Sequence, residues 1–331
     1  MSNKKRLEYA IKVLIGGLLA WAIYRQVFAR ENAAALWAGL IGRVVSPHYY
    51  WLLVVVLLAP VNVALESLKW QGLIRSFSPL GFGRVFKAVL SGITIAIFTP
   101  NRVGEYGGRI LYVAPENNWK AIIATLVGSL AQLLVILSAG LVGLVVFSSH
   151  FLQTELNVLP LLVSLTTVVL AGMYFCFFNI DLLIPIVKRI PFIHLLRRYF
   201  KHLLVLKHYG RGELWEALAL SFLRYLTYSL QYYFLLKFCG IPASLLPGLA
   251  GIATIFFIQA SLPLPPLMGL LARGEIALFV WGFFSADQVG ILAATFTLFV
   301  INIAVPALLG MAFIAQANIL QSFGYDKNDE S

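Results

Sequence analysis

Charged residues are scarce in this chain of 331 residues. They make up 12% of the sequence, whereas 60% of the residues are hydrophobic and the mean hydropathy is +0.86. A soluble domain has about half apolar and about one quarter charged residues. Several apolar runs reach the ~20 residues that a helix needs to cross a bilayer. The composition therefore excludes a soluble globular protein and predicts an integral membrane protein with several transmembrane helices.

Cysteines and the common catalytic motifs are also lacking. Cys176 and Cys239 both lie in or beside apolar runs, and they match no metal-ligand spacing or disulfide framework. The P-loop, HExxH, GxSxG and CxxC motifs are missing, so we expect no metal site, no cofactor and no ATP hydrolysis by this chain alone. The net charge of +11 does not indicate a nucleic acid partner, because Lys and Arg collect in cytoplasmic loops beside anionic lipid headgroups.

Apolar runs predict an all-α, polytopic helix bundle that forms a single integral membrane domain over residues 1–331. About six full spans are expected, and the first is expected to be an uncleaved helix rather than a signal peptide. Two further apolar regions are interrupted by Pro, Gly and charged residues, and a short tail follows at 320–331. The spans are about 9–28, 49–68, 120–147, 158–178, 214–237 and 288–313, and the interrupted regions are about 84–115 and 247–284.

Loop charge predicts the topology. Basic clusters at residues 4–6, 69–87 and 182–212 predict a cytoplasmic location for these segments, whereas FSSHFLQTELNVLP has no Lys or Arg and is predicted outside. Arg25, Arg30 and Arg43 conflict with this assignment but are outnumbered. Both termini are then cytoplasmic, and region 84–115 starts and ends on the same side, as a re-entrant hairpin with TPNRVG near its tip. Region 247–284 is either a second hairpin from the opposite face or two short crossings.

The two interrupted regions share an order of residues. FTPNRVGEYGGRILYV and LPLPPLMGLLARGEIALFV each have an apolar arm, proline, arginine, a Gly-Glu pair and a resumed apolar stretch. Interrupted segments in corresponding places of two halves are typical of inverted repeats with a central binding site. We therefore expect two hairpins in an inverted repeat.

Charged residues inside a bilayer are costly and usually face a partner or a wet cavity. A helix that begins near Gly104 would place Arg102, Glu105 and Arg109 on one face, with the last two as an i, i+4 ion pair. Arginines and the free amides at a helix start suit phosphate oxygens. The predicted site is a pocket for a phospholipid or polyprenyl-phosphate headgroup, built from Asn101, Arg102, Gly104, Glu105, Arg109, Arg273, Glu275, Arg224 and Glu66.

Two alternatives concern the polar residues. In the structural alternative, the charges neutralise one another and hold the hairpin tips together. Gln132, Gln231, Gln259 and Asn302 are expected to form hydrogen bonds between helices rather than to contact substrate. The segment PFIHLLRRYFKHLLVLKHYGRG has a basic face and an apolar face, so residues 182–212 are expected to lie on the anionic headgroups of the cytoplasmic leaflet. Binding of a membrane protein partner is the alternative for this segment.

FTPNRVGEYGGR, with the later proline-rich segment that ends in ARGE, resembles the membrane region of lysylphosphatidylglycerol synthetases, which also occurs alone in flippase-like membrane proteins. The resemblance covers nearly the whole chain, although PPLMGLLARGE departs from the Pro-Gly-Gly-type turn that relatives often have. It implies lipid translocation in the cytoplasmic membrane and a role for Arg102, Glu105, Arg109, Arg273 and Glu275. The soluble aminoacyl transferase domain is not found, so that activity is not expected. The alternatives are an enzyme or subunit of lipid-linked biosynthesis that uses the Glu residues for acid–base work, or a non-transporting scaffold.

Overall fold

Every regular element described in a computed structural model of the chain is helical, as the composition predicts. The described residues are 3–27, 41–42, 48–151, 159–180, 206, 209–262, 264, 269–317 and 319–322. The helices are α1 (Asn3–Val27), α2 (Tyr49–Ile74), α3 (Phe82–Ala96), α4 (Gly104–Ile110), α5 (Asn118–Phe151), α6 (Leu159–Phe178), α7 (Arg211–Phe238), α8 (Leu245–Ala260), α9 (Gly269–Trp281), α10 (Gln288–Phe299), α11 (Val305–Gln316) and α12 (Ile319–Ser322). Short 3₁₀ turns at Pro100–Arg102 and Pro115–Asn117 precede α4 and α5, and a π-helical turn at Val300–Ala304 joins α10 to α11.

Three helical stretches in the described part of the chain are both long enough and apolar enough to cross a membrane. They are Tyr49–Ile74, Pro115–Ser149 and Gln288–Gln316, and each contains or closely matches a predicted span. Helices α1, α6 and α7 occupy the other three predicted spans and contain 25, 20 and 28 residues. At ~1.5 Å per residue, these lengths suffice for a hydrocarbon layer of ~30 Å.

The two interrupted regions form pairs of shorter helices. Helix α3 has 15 residues and α4 has 7, while α8 has 16 and α9 has 13. At ~1.5 Å per residue, even the longest of these is about 24 Å long, which is less than the ~30 Å of a bilayer core. Within each pair, the two helices pack against each other. We call α3, the turn at 97–103 and α4 the first hairpin, and α8, the connection at 261–268 and α9 the second hairpin.

Glycine allows the first hairpin to pack at backbone distance. Gly104 and Gly108 lie one turn apart on α4, and both face α3. A Cβ atom at Gly104 would lie 2.5 Å from the carbonyl oxygen of Ile95, and one at Gly108 would overlap the backbone of Ser91 and Gly92. This small-xxx-small spacing is a common means of close helix packing in membranes. The α3–α4 pair therefore forms a rigid unit.

Helices α2, α5 and α11 pack against the first hairpin. Helix α2 packs against α3 and α7, and α5 packs against α4, α7 and α8. Helix α11 contacts α3 at Gly310, where a Cβ atom would overlap the carbonyl oxygen of Leu90. The Thr94 hydroxyl of α3 donates a hydrogen bond of 2.8 Å to the carbonyl of Ala307 in α11. The turn of the first hairpin is thereby directed toward the polar residues of α2 and α7.

One prediction about the end of α2 is wrong. The sequence places Lys69 at the start of a cytoplasmic segment, but α2 continues to Ile74 and the Lys69 side chain is 2% exposed. Most of the cationic segment 182–212 lies outside the described residues, as do Pro263, Pro265, Pro266 and residues 323–331 of the tail. The side chains of Arg25, Arg30 and Arg43 also lie outside the described part.

Candidate functional site

Glu66 of α2 is the centre of a buried network of ion pairs. Its Oε1 atom accepts a hydrogen bond of 2.6 Å from Nη2 of Arg109 in α4. Its Oε2 atom lies 2.9 Å from Nη1 of Arg224 in α7 and 2.8 Å from Nζ of Lys69. The Glu66 side chain is only 8% exposed. One carboxylate thus contacts three cations, which come from three helices.

Glu105 and Arg109 form the i, i+4 ion pair that their spacing predicts. Nη2 of Arg109 donates to Oε1 of Glu105 at 2.6 Å, in addition to its bond with Glu66. The Arg109 side chain is 2% exposed, and its Cζ atom lies 5.4 Å from the centre of the Trp70 ring. Arg109 therefore bridges two carboxylates and packs on an aromatic ring, which fixes α4 against α2.

Neutral side chains extend the network toward the last helices. Nε of Arg224 donates to Oδ1 of Asn62 at 2.9 Å, and Nη1 contacts Oε1 of Gln132 at 3.4 Å. Asn62 in turn donates to Oδ1 of Asn302 at 2.9 Å, within the π-helical turn. As expected for Gln132 and Asn302, both form hydrogen bonds between helices, and Gln231 does so with the carbonyl of Val55. The network joins α2, α5, α7 and the π-helical turn.

A polar cavity of about 250 Å³ lies beside this network. Its charged lining residues are Glu66, Arg102, Arg224 and Arg273. Its neutral polar lining includes Asn62, Gln132, Gln259, Asn302 and Tyr228. Arg102 comes from the turn of the first hairpin, and Arg273 comes from α9 of the second. The two hairpins thus contribute one arginine each to a single cavity, although 171 positions separate these residues in the numbering.

An unusual backbone conformation holds the turn that carries Arg102. Asn101 and Arg102 have φ angles of 48° and 58°, in the left-handed region that disfavours most L-residues. The Thr99 hydroxyl accepts a hydrogen bond of 2.7 Å from the amide of Gly104 and fixes the start of α4. The Arg102 side chain lies over Glu105, with 3.5 Å between Nη2 and Oε1. The two left-handed residues reverse the chain so that Arg102 reaches the cavity.

Arg102 of the first hairpin and Arg273 of α9 have few polar partners among the described residues. Nε of Arg102 is buried and has no hydrogen-bond partner among the described residues. Arg273 has no ion pair with a carboxylate in the part of the chain that the structure describes. By contrast, Glu66 and Glu105 are both occupied by cations. Arg102 and Arg273 therefore line the cavity without an ion pair to Glu66, the carboxylate in its wall.

The structure separates the predicted site residues into three groups. Glu66, Arg102, Arg224 and Arg273 line the cavity, whereas Glu105 and Arg109 lie behind its wall and hold Arg102 and Glu66. Asn101, Gly104 and Glu275 do not line it. Asn101 shapes the turn, and Gly104 packs on α3. Residues two positions apart on a helix face different directions, so Glu275 points away from Arg273. Its side chain is exposed.

Sequence reasoning missed two members of the network, Asn62 and Lys69. Together with Glu66, they lie at i, i+4 and i+7 of α2, a spacing that places them on one face of a helix. Three polar residues on one face of an apolar helix were a detectable signal. Lys69 was instead counted among the basic residues of a cytoplasmic segment, since the helix was expected to end near residue 68.

An apolar cavity of about 650 Å³ lies next to the polar one. Residues of α5, α6, α7 and α8 line it, among them Val142, Tyr174, Phe222 and Leu249. Tyr225 of α7 lines both cavities. The polar cavity and the apolar cavity thus meet at Tyr225. An amphipathic molecule requires two adjacent cavities of this kind.

The helices and the comparison with known families define the class of protein. A helical bundle with three long apolar helices makes this chain a multi-pass membrane protein. Residues 9–310 match the family described as the lysylphosphatidylglycerol synthase TM region, and the chain belongs to this family. The match confirms the resemblance carried by FTPNRVGEYGGR and ARGE, and it connects the protein with the biosynthesis or translocation of membrane lipids. A comparison with curated proteins finds no significant match.

Proposed function

We propose that this protein binds a lipid by a phosphate-bearing headgroup and moves it between the two leaflets of the membrane. The observation that carries the proposal is the convergence of Arg102 and Arg273 on one polar cavity that shares Tyr225 with an apolar cavity. The headgroup, of a phospholipid or a polyprenyl phosphate, occupies the polar cavity. The hydrocarbon chain stays in the apolar cavity or in the surrounding bilayer.

Arg102 and Arg273 hold the phosphate in this proposal. A guanidinium group donates two parallel hydrogen bonds to phosphate oxygens, and the Arg102 side chain is 40% exposed, so it is accessible to a ligand. Arg109 has a different role, because its terminal nitrogen Nη2 is bound to Glu66 and Glu105 and its side chain is 2% exposed. We assign Glu66, Glu105 and Arg109 to positioning the two hairpins rather than to contact with the lipid.

The lengths of the helices support a membrane arrangement of two re-entrant hairpins in an inverted repeat. Neither α3 nor α8 reaches ~30 Å at ~1.5 Å per residue, so each hairpin enters the bilayer and returns. We place both termini in the cytoplasm, with the first hairpin entering from that side of the cytoplasmic membrane. Half-helices that meet at a central site from opposite faces are the arrangement of many transporters.

Cysteine labelling tests this topology. Cys176 is exposed and Cys239 is buried, so Cys176→Ser removes the accessible native thiol. Asn101→Cys in that background should react with a membrane-impermeant maleimide from the cytoplasmic side of sealed vesicles. Reaction from the outer side alone would contradict the arrangement of the first hairpin.

A reconstituted flip assay tests the function. Purified protein is placed in liposomes that carry a fluorescent phospholipid, and an impermeant quencher reports the fraction of lipid that reaches the outer leaflet. Arg102→Ala and Arg273→Ala should slow the exchange while thermal unfolding in detergent stays close to that of the wild type. Arg84→Ala is the matched control, since Arg84 is exposed on α3 and does not line the cavity.

Two outcomes would count against the proposal. Wild-type exchange rates in both cavity variants would exclude Arg102 and Arg273 from the lipid site. Exchange in protein-free liposomes as fast as in proteoliposomes would favour a non-transporting scaffold, in which the ion pairs only stabilise the bundle.

A further inference from the structure

We infer that the headgroup taken up by the polar cavity is anionic and carries no cationic group. This inference rests on the proposed function and narrows its substrate class. It excludes an aminoacylated lipid with a free ammonium group as the preferred ligand. The observation is the balance of charge at the meeting point of the two hairpins.

Cations outnumber carboxylates at this point. Five cationic side chains, those of Lys69, Arg102, Arg109, Arg224 and Arg273, lie in the network or line the cavity. Only two carboxylates, those of Glu66 and Glu105, accompany them among the described residues. The site therefore has an excess of three positive charges.

Both carboxylates already contact cations of the protein. Glu66 contacts Arg109 through Oε1, and it contacts Lys69 and Arg224 through Oε2. Oε1 of Glu105 contacts Arg109 and Arg102, and the Glu105 side chain is 9% exposed. An ammonium group of a ligand would therefore meet only one carboxylate in the cavity wall, that of Glu66, and this carboxylate already contacts three cations.

The remaining cavity wall provides no further anion. Its other polar residues are four amides and two phenols, which donate and accept hydrogen bonds but carry no charge at neutral pH. The only carboxylate between residues 261 and 281 is that of Glu275, which is exposed and does not line the cavity. The second hairpin therefore adds one positive charge to the cavity without a compensating negative one.

An uncompensated charge within a membrane protein is costly, so a ligand of opposite sign stabilises the cavity most. A phosphodiester supplies one negative charge and a phosphomonoester supplies up to two, and either leaves the network intact. A zwitterionic headgroup supplies no net charge, and a lysylated phosphatidylglycerol headgroup adds a positive one. The expected order of affinity is thus anionic, then zwitterionic, then cationic headgroups.

Competitive lipid retention tests this order. Protein in nanodiscs receives an equimolar mixture of phosphatidylglycerol, phosphatidylethanolamine and lysylphosphatidylglycerol with identical acyl chains, and native mass spectrometry counts the lipids that remain bound. Phosphatidylglycerol and phosphatidylethanolamine carry the same phosphodiester, so the ammonium group decides between them, and its repulsion by the excess positive charge of the site should lower affinity about tenfold. We expect phosphatidylglycerol to be retained about tenfold over the zwitterionic lipid, and lysylphosphatidylglycerol to be retained least.

Arg273→Gln is the diagnostic variant, because Arg273 has no carboxylate partner among the described residues and its removal leaves no acid unpaired. It should reduce the preference for phosphatidylglycerol several-fold, and Arg102→Gln should act in the same direction. Arg84→Gln removes an exposed charge of the same sign and should leave the preference unchanged. An unchanged preference in both cavity variants would overturn the inference.

A further arm distinguishes a lipid headgroup from a free anion. Inorganic phosphate should leave the bound lipid in place, because it has no chain for the apolar cavity, and its displacement of phosphatidylglycerol at millimolar concentration would overturn the lipid assignment. Equal or tighter retention of lysylphosphatidylglycerol would overturn the charge preference even if lipid exchange is observed. Selective retention of phosphatidylglycerol without exchange of any lipid would overturn the proposed transport and support the charge preference.

Discussion

Glu66 and Arg109, 43 positions apart in the sequence, are joined by a buried hydrogen bond of 2.6 Å. The bond connects a long apolar helix to the short second helix of the first hairpin. Because Glu66 also contacts Lys69 and Arg224, this carboxylate is the shared partner of three cations at the base of the cavity. The fold of the hairpin and the electrostatics of the site therefore depend on the same side chain.

Glu66→Gln should strongly destabilise the protein. The substitution leaves Lys69, Arg109 and Arg224 close together with only Glu105 to compensate them. Removal of one partner from a buried ion pair costs about 3–5 kcal/mol. A much lower midpoint of thermal unfolding in detergent, measured beside Glu116→Gln at an exposed carboxylate, would confirm this. Equal midpoints for the two variants would show that the network contributes little.

Gly108→Ala should destabilise the first hairpin, whereas Gly107→Ala should not. A Cβ atom at Gly108 would overlap the backbone of α3, while one at Gly107 would meet no atom within 4 Å. Overpacking of this kind costs about 1–3 kcal/mol, and alanine is favoured over glycine in an exposed helical position by about 1 kcal/mol. Thermal unfolding of the two single variants makes the comparison. Similar midpoints would contradict the backbone contact between α3 and α4.

Asn101→Val should be more damaging than Asn101→Gly. The φ angle of 48° at Asn101 lies in the left-handed region, which glycine adopts freely and a β-branched residue strongly disfavours. The left-handed conformation costs an ordinary L-residue about 1–2 kcal/mol, so the valine variant should unfold at a lower temperature. Its lipid exchange should also slow, since Arg102 would no longer be held toward the cavity. A valine variant with the stability and exchange rate of the glycine variant would exclude this role for the turn.

Arg224→Lys should weaken the network although the charge is kept. The Arg224 guanidinium donates to Asn62 through Nε and contacts both Glu66 and Gln132 through Nη1, and one ammonium group cannot reproduce this planar geometry. Each lost hydrogen bond is worth about 1 kcal/mol, so stability should fall by about 1–2 kcal/mol. Arg211→Lys, at an exposed position on the same helix, should have no effect on the unfolding midpoint. An equal loss of stability in Arg211→Lys would show that the loss in Arg224→Lys does not come from the network.

The sequence predicted the class of fold because a bilayer imposes simple rules on length and polarity. The helical character and the long apolar helices follow from these rules. The two interrupted regions were recognised because they break the apolar runs in the same order of residues. The spacing of Glu105 and Arg109 likewise predicted their ion pair, since i, i+4 geometry is local. Arg102 and Arg273 were grouped as one pocket through the similarity of their segments, and they line one cavity.

Other features depend on contacts between distant segments and could not be predicted from the local sequence. Lys69 follows an apolar run and resembles a residue at a membrane surface, but α2 continues past it and buries its ammonium group beside Glu66. Glu275 resembled Glu105 because each follows a glycine, yet its position two residues from Arg273 turns it away from the cavity. The left-handed conformation of Arg102 had no local signal, since arginine rarely adopts it.

The glycine contacts also limit how such a molecule can move. At Gly108, α3 touches α4 through backbone atoms, and at Gly310 it touches α11 through the carbonyl of Leu90 and the hydroxyl of Thr94. Such surfaces leave no room for the first hairpin to hinge open or slide along its neighbour. Any rearrangement that alternates the side of the membrane to which the polar cavity opens must therefore rock α3, α4 and α11 together against α2 and α7. In that motion, the bond between Glu66 of α2 and Arg109 of α4 would be the pivot about which the moving body turns.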